Sequence, residues 1–296
     1  MKRLIGSIAA WVGHSYPGRL IAAFGSSQAG NYASGLAFNA FLSMFPLILG
    51  LLAILGFATQ SSTTSNHVRT AILGFFPADA NPALTGAFEG IQQHPGLLGI
   101  VGIVGLVWSG SSLFTSMEFS LGMVIGTRQR PFLRQRGMAL VMTILFVVSI
   151  ITTVGVAVLI ALPGAGWLFE PAVGLIVWYA FMLAVYRLVP NRTYRVRNMW
   201  PGILIAGTAM EALTLLWPLY TNLAHGFSTY GSVVGLFFIL AGWLYFLAEF
   251  ILLGAVANRM HCGEPEMRGL LAARDRGRAP VAGGSQPSGG VSRPRR

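Results

Sequence analysis

The stretch NYASGLAFNAFLSMFPLILG, residues 31–50, decides the fold class because it opens an apolar run long enough to cross a bilayer. Only 10% of the 296 residues are charged, against about 25% in soluble domains. In lipid such a run must satisfy its own backbone hydrogen bonds, and it lacks the alternation of barrel strands. The sequence therefore predicts an all-α integral membrane protein with six transmembrane helices. The predicted spans are about 33–58, 97–118, 137–162, 167–189, 199–223 and 231–257.

The chain divides into three predicted segments. Residues 1–30 begin MKRLIGSIAAWVG, an apolar core interrupted by Gly6 and Ser7 and lacking a clean cleavage site. This favours an interfacial cytoplasmic helix over the alternative, a cleaved secretory signal. Residues 31–258 form the transmembrane domain, with short amphipathic helices expected in its first outer loop, about 59–96. Residues 259–296 are rich in Gly, Pro, Ser and Arg, which predicts a disordered basic cytoplasmic tail.

The net charge of +11 is distributed on one side of these spans. Nineteen of the twenty Lys and Arg residues precede the first span, lie in the second-to-third and fourth-to-fifth connections, or follow the sixth span; Arg69 is the exception. The positive-inside rule then predicts a bacterial inner-membrane protein with both termini in the cytoplasm. The expected partners are the phospholipid bilayer and anionic lipid at its cytoplasmic face. No nucleic acid is expected, because topology already accounts for the charge. Oligomerisation is left open.

Residues that usually carry enzyme chemistry are sparse. Cys262 is the single cysteine, and the five histidines are scattered without His-x-x-x-His, Cys-x-x-Cys or Walker spacing. The glycines of GIVGIVGLVWSG lie in an apolar span, so close helix packing is the better interpretation. The sequence therefore predicts no catalytic, metal or cofactor site and no enzyme.

Polar side chains inside the spans are the candidate site. A carboxylate at the bilayer centre costs at least about 2.5 kcal/mol, so each should face protein or water. The alternative is an interhelical contact or interfacial snorkelling, which is favoured for Glu118 and evenly balanced with a functional role for Glu211. The candidate cavity-lining residues are Asn31, Asn39, Ser43, Glu118, Glu211, Tyr245 and Glu249.

One face of the first span is polar, small or kinked. At 100° per residue this face occupies an arc of about 120°. Whether protein or cargo meets it stays open. Its members are Asn31, Gly35, Asn39, Ser43, Pro46, Gly50 and Ala53.

Short motifs in a fixed order over about residues 20–258 resemble the YihY/BrkB family of bacterial inner-membrane proteins. They lie in NYASGLAFNAFLSMFPLILG, LVWSGSSLFTSMEF, TRQRPFL, YRLVPNRTYRVRNMWPGILIAG and STYGSVVGLFFILAGWLYFLAEF. The specific residues are Pro46, Trp108, Arg130, Pro131, Pro190, Asn191, Arg192, Pro201, Gly202, Tyr230 and Gly231.

The resemblance implies a six-helix inner-membrane protein of poorly defined activity, linked in some members to serum resistance and envelope traits. The family's former label, ribonuclease BN, finds no support here, because a metal nuclease needs clustered His and Asp ligands. Many relatives read Gly-Ala-Glu near the end of the last span, where this chain has Gly254-Ala255-Val256. A mechanism that rests on that glutamate is therefore in doubt for this chain.

Three classes of function follow. The favoured one is a transporter or flippase-like exporter of an unidentified solute or lipid, through a polar cavity open to the cytoplasm. The alternative is a non-transporting scaffold or accessory protein for envelope integrity. A membrane-embedded enzyme is the least favoured, for want of a catalytic constellation.

Overall fold

The computed structural model describes residues 15–58, 85–86, 89–90, 95–160, 166–191, 194–216, 219 and 232–263. These ranges contain helices and no strand, which confirms the all-α prediction for this part of the chain. A 3-10 turn, Val196–Asn198, precedes α6. The main helices are α1 (Tyr16–Ser26), α2 (Ala29–Ala58), α3 (Pro95–Ile125), α4 (Phe132–Ile160), α5 (Gly166–Leu188), α6 (Trp200–Leu215) and α7 (Ser232–His261).

Four helices in the described ranges are long and apolar enough to cross a membrane, through Ala29–Leu51, Ile100–Ile125, Phe132–Thr152 and Phe237–His261. Shorter apolar stretches lie in α5 and α6, Ala172–Leu188 and Trp200–Leu215. The protein is therefore a multi-pass membrane protein. The helices α2 to α7 overlap the six predicted spans, although α6 ends at Leu215, before the predicted end at residue 223, and a count of six crossings stays a prediction.

The helix of the second predicted span, α3, runs further than predicted. The predicted span ended at residue 118, whereas α3 continues to Ile125. Glu118 and Ser120 lie within α3 and are buried. Gly126, with φ of 80°, then ends the helix, and its N–H bonds the Gly122 carbonyl at 2.7 Å.

The first helix is amphipathic. Ser15 caps it by accepting a hydrogen bond from the Gly18 N–H, and Pro17 occupies the first turn. Leu20 and Ala23 are buried against the bundle, while Ile21 is 68% exposed. This matches an interfacial helix, although its position at the membrane surface stays a prediction. Residues 1–14, the tail from 264, and most of the outer loop lie outside the described residues.

The six long helices form a ring. Each of α2 to α7 packs against the next in chain order, α7 packs back on α2, and α3 also contacts α7 across the ring. At one end of the ring α3, α5 and α7 finish and α2, α4 and α6 begin; we name it the closed end. The core includes Phe114, Met142, Met182, Met210 and Leu252, each at most 1% exposed.

Candidate functional site

Arg130 is the centre of a polar cluster at the closed end. Its guanidinium donates to the carbonyl oxygens of Leu188 at 2.9 Å and Pro190 at 2.8 Å, and to that of Val189. These carbonyls end α5, where no intrahelical donor remains, because the chain turns away at Pro190. A cation at this position also opposes the negative end of the helix dipole. Arg130 therefore ties the loop after α3 to the end of α5.

Glu118 completes this cluster. Its side chain is 1% exposed, and Oε1 accepts hydrogen bonds from the Arg130 backbone N–H at 3.1 Å and from Nη1 at 3.3 Å. The other oxygen, Oε2, is buried and has no hydrogen-bond partner among the described residues. Asn191 adds a further link, because its Nδ2 donates to the Arg128 carbonyl at 3.1 Å.

The sequence had placed these residues in two groups. Arg130, Pro190 and Asn191 were family motif residues, and Glu118 was a candidate cavity residue. The structure brings all four into one cluster. An arginine that follows a glutamate at the end of a span after a glycine turn was the available signal, but the partner carbonyls lie 58 to 60 residues further along the chain.

Glu211 lies at the interface of α5 and α6 and is 8% exposed. Its carboxylate oxygens come within 2.6 and 2.8 Å of the place where a Cβ at Gly174 would stand. The same interface holds a hydrogen bond of 2.9 Å between Tyr179 OH and Thr208 Oγ1. Gly207 also lies there, with the Tyr179 ring where its Cβ would be. Two glycines thus leave room for two polar groups between these helices.

Tyr245 and Glu249 of α7 are paired. The tyrosine hydroxyl donates to Oε1 of Glu249 at 2.6 Å, and both side chains are half-buried. The same oxygen lies 3.3 Å from the Cβ position of Gly30, in the first turn of α2. A carboxylate is favourable there, because the amino end of a helix carries partial positive charge.

The predicted polar face of α2 divides between two environments. Asn31 and Gly35 are exposed, and Asn39 is half-buried with Nδ2 bonded to the Gly35 carbonyl of its own helix at 3.0 Å. Ser43 is buried, and its carbonyl accepts a hydrogen bond from Ser109 of α3 at 2.6 Å. Gly50, further along the helix, packs against Leu106. The later half of this face, from Ser43 to Gly50, therefore meets α3, and its beginning does not.

The remaining motif residues have varied positions. Pro46 lies inside α2 and faces Gly105 of α3, while the Trp108 side chain is 74% exposed on the outside of the bundle. Pro131 is exposed beside Arg130. Arg192, Tyr230 and Gly231 lie outside the described residues.

Pro201 and Gly202 lie at the start of α6, where α6 crosses α7. Both residues are buried. The Gly202 N–H donates to Asn258 Oδ1 at 2.8 Å, and a Cβ on Gly202 would stand 2.2 Å from the Gly254 carbonyl oxygen. Gly254 in turn faces the Tyr186 hydroxyl, which donates to the Ile251 carbonyl at 2.9 Å. This crossing is a backbone contact that side chains larger than hydrogen would not fit.

Arg259 has a role that the sequence did not predict. The sequence treated it only as a cytoplasmic charge that follows the sixth span. Its side chain is instead 1% exposed, and it donates to the Val124 carbonyl and, at 2.8 Å, to Ser27 Oγ. Arg259 therefore joins the ends of α3 and α7 to the turn between α1 and α2. Sequence reasoning missed this role, and that of Asn258, because both residues resemble ordinary polar residues at the end of a span.

The seven candidate residues do not form one contact cluster. Glu118 is held by Arg130, Glu211 packs on α5, and Glu249 packs at the start of α2. Whether these faces line a common cavity stays a prediction. Within the described residues, no group of three or more His, Cys, Asp or Glu side chains could hold a metal ion.

The apolar helices pack in a ring and are joined by buried polar contacts. This architecture is that of a polytopic α-helical membrane protein. Residues 20–273 match the family described as Virulence factor BrkB, and the chain belongs to this family.

Two curated proteins are similar to about three quarters of this chain. A protein of Bacillus subtilis (strain 168), YfkH, whose name describes it as ribonuclease-like, is 26% identical over 76% of this chain and 87% of its own. A UPF0761 membrane protein of Aromatoleum aromaticum is 28% identical over 76% of this chain and 58% of its own. No solved structure matches the chain significantly.

Proposed function

We propose that this protein is a transporter or flippase-like exporter of the bacterial inner membrane. It moves an unidentified solute or lipid through a polar path that opens to the cytoplasm when the helix packing at the closed end loosens. Glu211 carries this proposal, because it is an almost fully buried carboxylate of an apolar helix, at the interface of α5 and α6. Such a residue costs at least about 2.5 kcal/mol within a membrane, and intramembrane ionisable groups usually mark a substrate or ion pathway.

The surroundings of Glu211 support a path between α5 and α6. Thr208 lies one turn before Glu211 and shares a hydrogen bond with Tyr179 of the facing helix. Gly174 and Gly207 occupy the same interface, and small residues allow two membrane helices to approach closely and to shift. A polar cargo group can exchange its water hydrogen bonds for these side chains as it passes.

The test compares the lipids and metabolites of membranes and medium from deletion cells and from cells complemented with variants. Glu211→Gln and Thr208→Val, which removes the hydroxyl that bonds Tyr179 across the interface, should insert at wild-type levels and yet fail to restore the wild-type composition. Thr214→Val is the matched control on α6, because its hydroxyl donates to the Met210 carbonyl of its own helix, at 2.9 Å. This control should complement fully. Full complementation by both test variants contradicts the cavity proposal.

A scaffold or accessory role in envelope integrity is the second candidate. The observation that favours it is the tight packing of the closed end through Gly202, Gly254 and Arg259. A scaffold requires the fold and not the buried carboxylate. It therefore predicts that Glu211→Gln complements fully while variants that loosen the closed end fail.

We do not extend the ribonuclease-like name of the Bacillus relative to this chain. Nuclease chemistry with metal ions needs carboxylate or imidazole ligands that converge. Glu118, Glu211 and Glu249 each have separate surroundings.

The proposed topology has six crossings, with both termini in the cytoplasm and the closed end on the cytoplasmic side. It is supported by the arginines of the loops at that end. A reporter enzyme that is active only in the periplasm should be active when fused near Gly166 and inactive when fused near Gly263. The opposite pattern contradicts the proposed orientation.

A further inference from the structure

Two arginine-rich loops lie side by side at the closed end. Residues 126–136 run from the end of α3 into α4, and residues 187–191 and 194–197 run from the end of α5 toward α6; together we name them the arginine surface. The guanidinium of Arg130 bonds three carbonyls of the second loop, and Asn191 bonds the Arg128 carbonyl of the first. These contacts make one continuous surface from two segments that are about 60 residues apart.

The arginine surface has a large uncompensated positive charge. Among the described residues, its two segments contain seven arginines and no Asp or Glu. Glu118, the carboxylate that contacts this surface, is 1% exposed and is already bound to Arg130. The charge is therefore complementary to an anion. The exposed arginine side chains are Arg128, Arg134, Arg187, Arg195 and Arg197.

Apolar side chains lie among these arginines. Phe132 is 64% exposed and Leu133 is 82% exposed, at the start of α4. The Arg136 guanidinium lies 5.3 Å from the centre of the Phe132 ring. Aromatic and aliphatic side chains next to arginines are typical of the boundary between headgroups and acyl chains.

An exposed apolar stripe continues along α4 from Leu133. Its members recur at three- and four-residue spacing, which places them on one face of the helix. A soluble anion would use only the arginines, whereas a phospholipid would use the arginines and this stripe together. The members are Leu140, Val141, Ile144 and Val148, exposed by 40% to 63%.

We propose that the arginine surface binds an anionic phospholipid of the phosphatidylglycerol type. The headgroup phosphate contacts the exposed arginines, and one acyl chain lies along the α4 stripe. The role of this lipid is separate from the proposed transport, because neither Glu211 nor the path between α5 and α6 takes part.

The test measures lipid binding to purified full-length protein in a neutral detergent by native mass spectrometry. Phosphatidylglycerol and phosphatidylcholine with identical acyl chains are titrated in parallel, and phosphatidylglycerol should bind more tightly. Each arginine near an anionic surface contributes roughly fivefold in affinity. Arg134→Gln should therefore weaken phosphatidylglycerol about fivefold, and Arg128→Gln/Arg134→Gln about 25-fold. Neither variant should change phosphatidylcholine binding.

Two further variants give the measurement its specificity. Arg19→Gln removes an exposed arginine from α1, outside the arginine surface, and should change phosphatidylglycerol binding less than twofold. Leu133→Ser should weaken both lipids, because it removes an acyl-chain contact. Thermal unfolding in lipid-free detergent checks that each variant is folded.

Three outcomes would overturn the proposal. The first is equal affinity for the two lipids. The second is a loss in Arg19→Gln that equals the loss in Arg134→Gln, because binding would then follow total charge and not this surface. The third is complete displacement of phosphatidylglycerol by millimolar inorganic phosphate together with no effect of Leu133→Ser, which would indicate a site for soluble anions.

Discussion

Replacement of Gly202 by alanine is expected to destabilise the bundle by about 3–5 kcal/mol and to remove most of the folded protein. The added Cβ would stand 2.2 Å from the Gly254 carbonyl oxygen and 2.5 Å from the Asn258 side chain. A backbone carbonyl cannot move aside as a flexible side chain can. Overpacking of this kind costs about 1–3 kcal/mol, and sometimes more.

A second loss adds to the first. If α6 shifts to make room, the Gly202 N–H separates from Asn258 Oδ1, now at 2.8 Å, in a buried position. A buried donor without an acceptor costs about 1–3 kcal/mol. The measurement is the monodisperse fraction in size-exclusion chromatography together with the thermal unfolding midpoint in detergent.

Gly137→Ala is the matched control. Gly137 also lies near the start of a helix, but a Cβ there would meet nothing within 4 Å. Alanine should stabilise this helix by about 0.5–1 kcal/mol, because glycine loses more backbone entropy on folding. Equal stability of Gly202→Ala and Gly137→Ala would show that the close approach of α6 and α7 is absent from the folded protein.

Replacement of Arg130 by glutamine is expected to destabilise the protein by about 3–5 kcal/mol. The substitution leaves the carboxylate of Glu118, which is 1% exposed, without its cationic partner. Breaking a buried ion pair from one side has this cost because the remaining charge stays desolvated. The three carbonyls at the end of α5 also lose their donor. Thermal or denaturant unfolding in detergent measures the loss.

The matched variants separate charge from geometry. Arg130→Lys keeps the charge but cannot span three carbonyls with a planar fork, so its stability should lie between those of wild type and Arg130→Gln. Glu118→Gln/Arg130→Gln should be more stable than Arg130→Gln alone, because no uncompensated charge remains. Arg128→Gln, an exposed neighbour, should change stability by less than about 0.5 kcal/mol. A double variant no more stable than Arg130→Gln would exclude the ion pair as the source of the effect.

Local sequence patterns predicted the helices well because membrane insertion depends on the apolarity of each segment by itself. The predicted starts and ends agree with α2, α4, α5 and α7 to within about five residues. Two predicted ends differ more: α3 continues to Ile125, beyond the predicted end at residue 118, and α6 ends at Leu215, before the predicted end at residue 223. Glu118 was predicted to be an interhelical contact or to snorkel near the headgroups, and the structure buries it against Arg130.

The candidate site was predictable only as a set of unusual residues. Intramembrane carboxylates are visible in a sequence because they are costly there, and Glu118, Glu211 and Glu249 were identified for that reason. Their partners were not visible. Gly174 of α5 faces Glu211, and Gly30, in the first turn of α2, faces Glu249. Glycine carries no chemical signal of the group that occupies the space it leaves.

The sequence by itself determined that this is an α-helical membrane protein, where its helices lie and which polar residues need an explanation, because each of these depends on local hydropathy. Only the tertiary structure decided which groups meet. Arg259 reaches Ser27 across 232 residues, and Arg130 reaches the end of α5 across about 60. Such pairs depend on the order in which the helices pack around the ring, and no single segment contains that information.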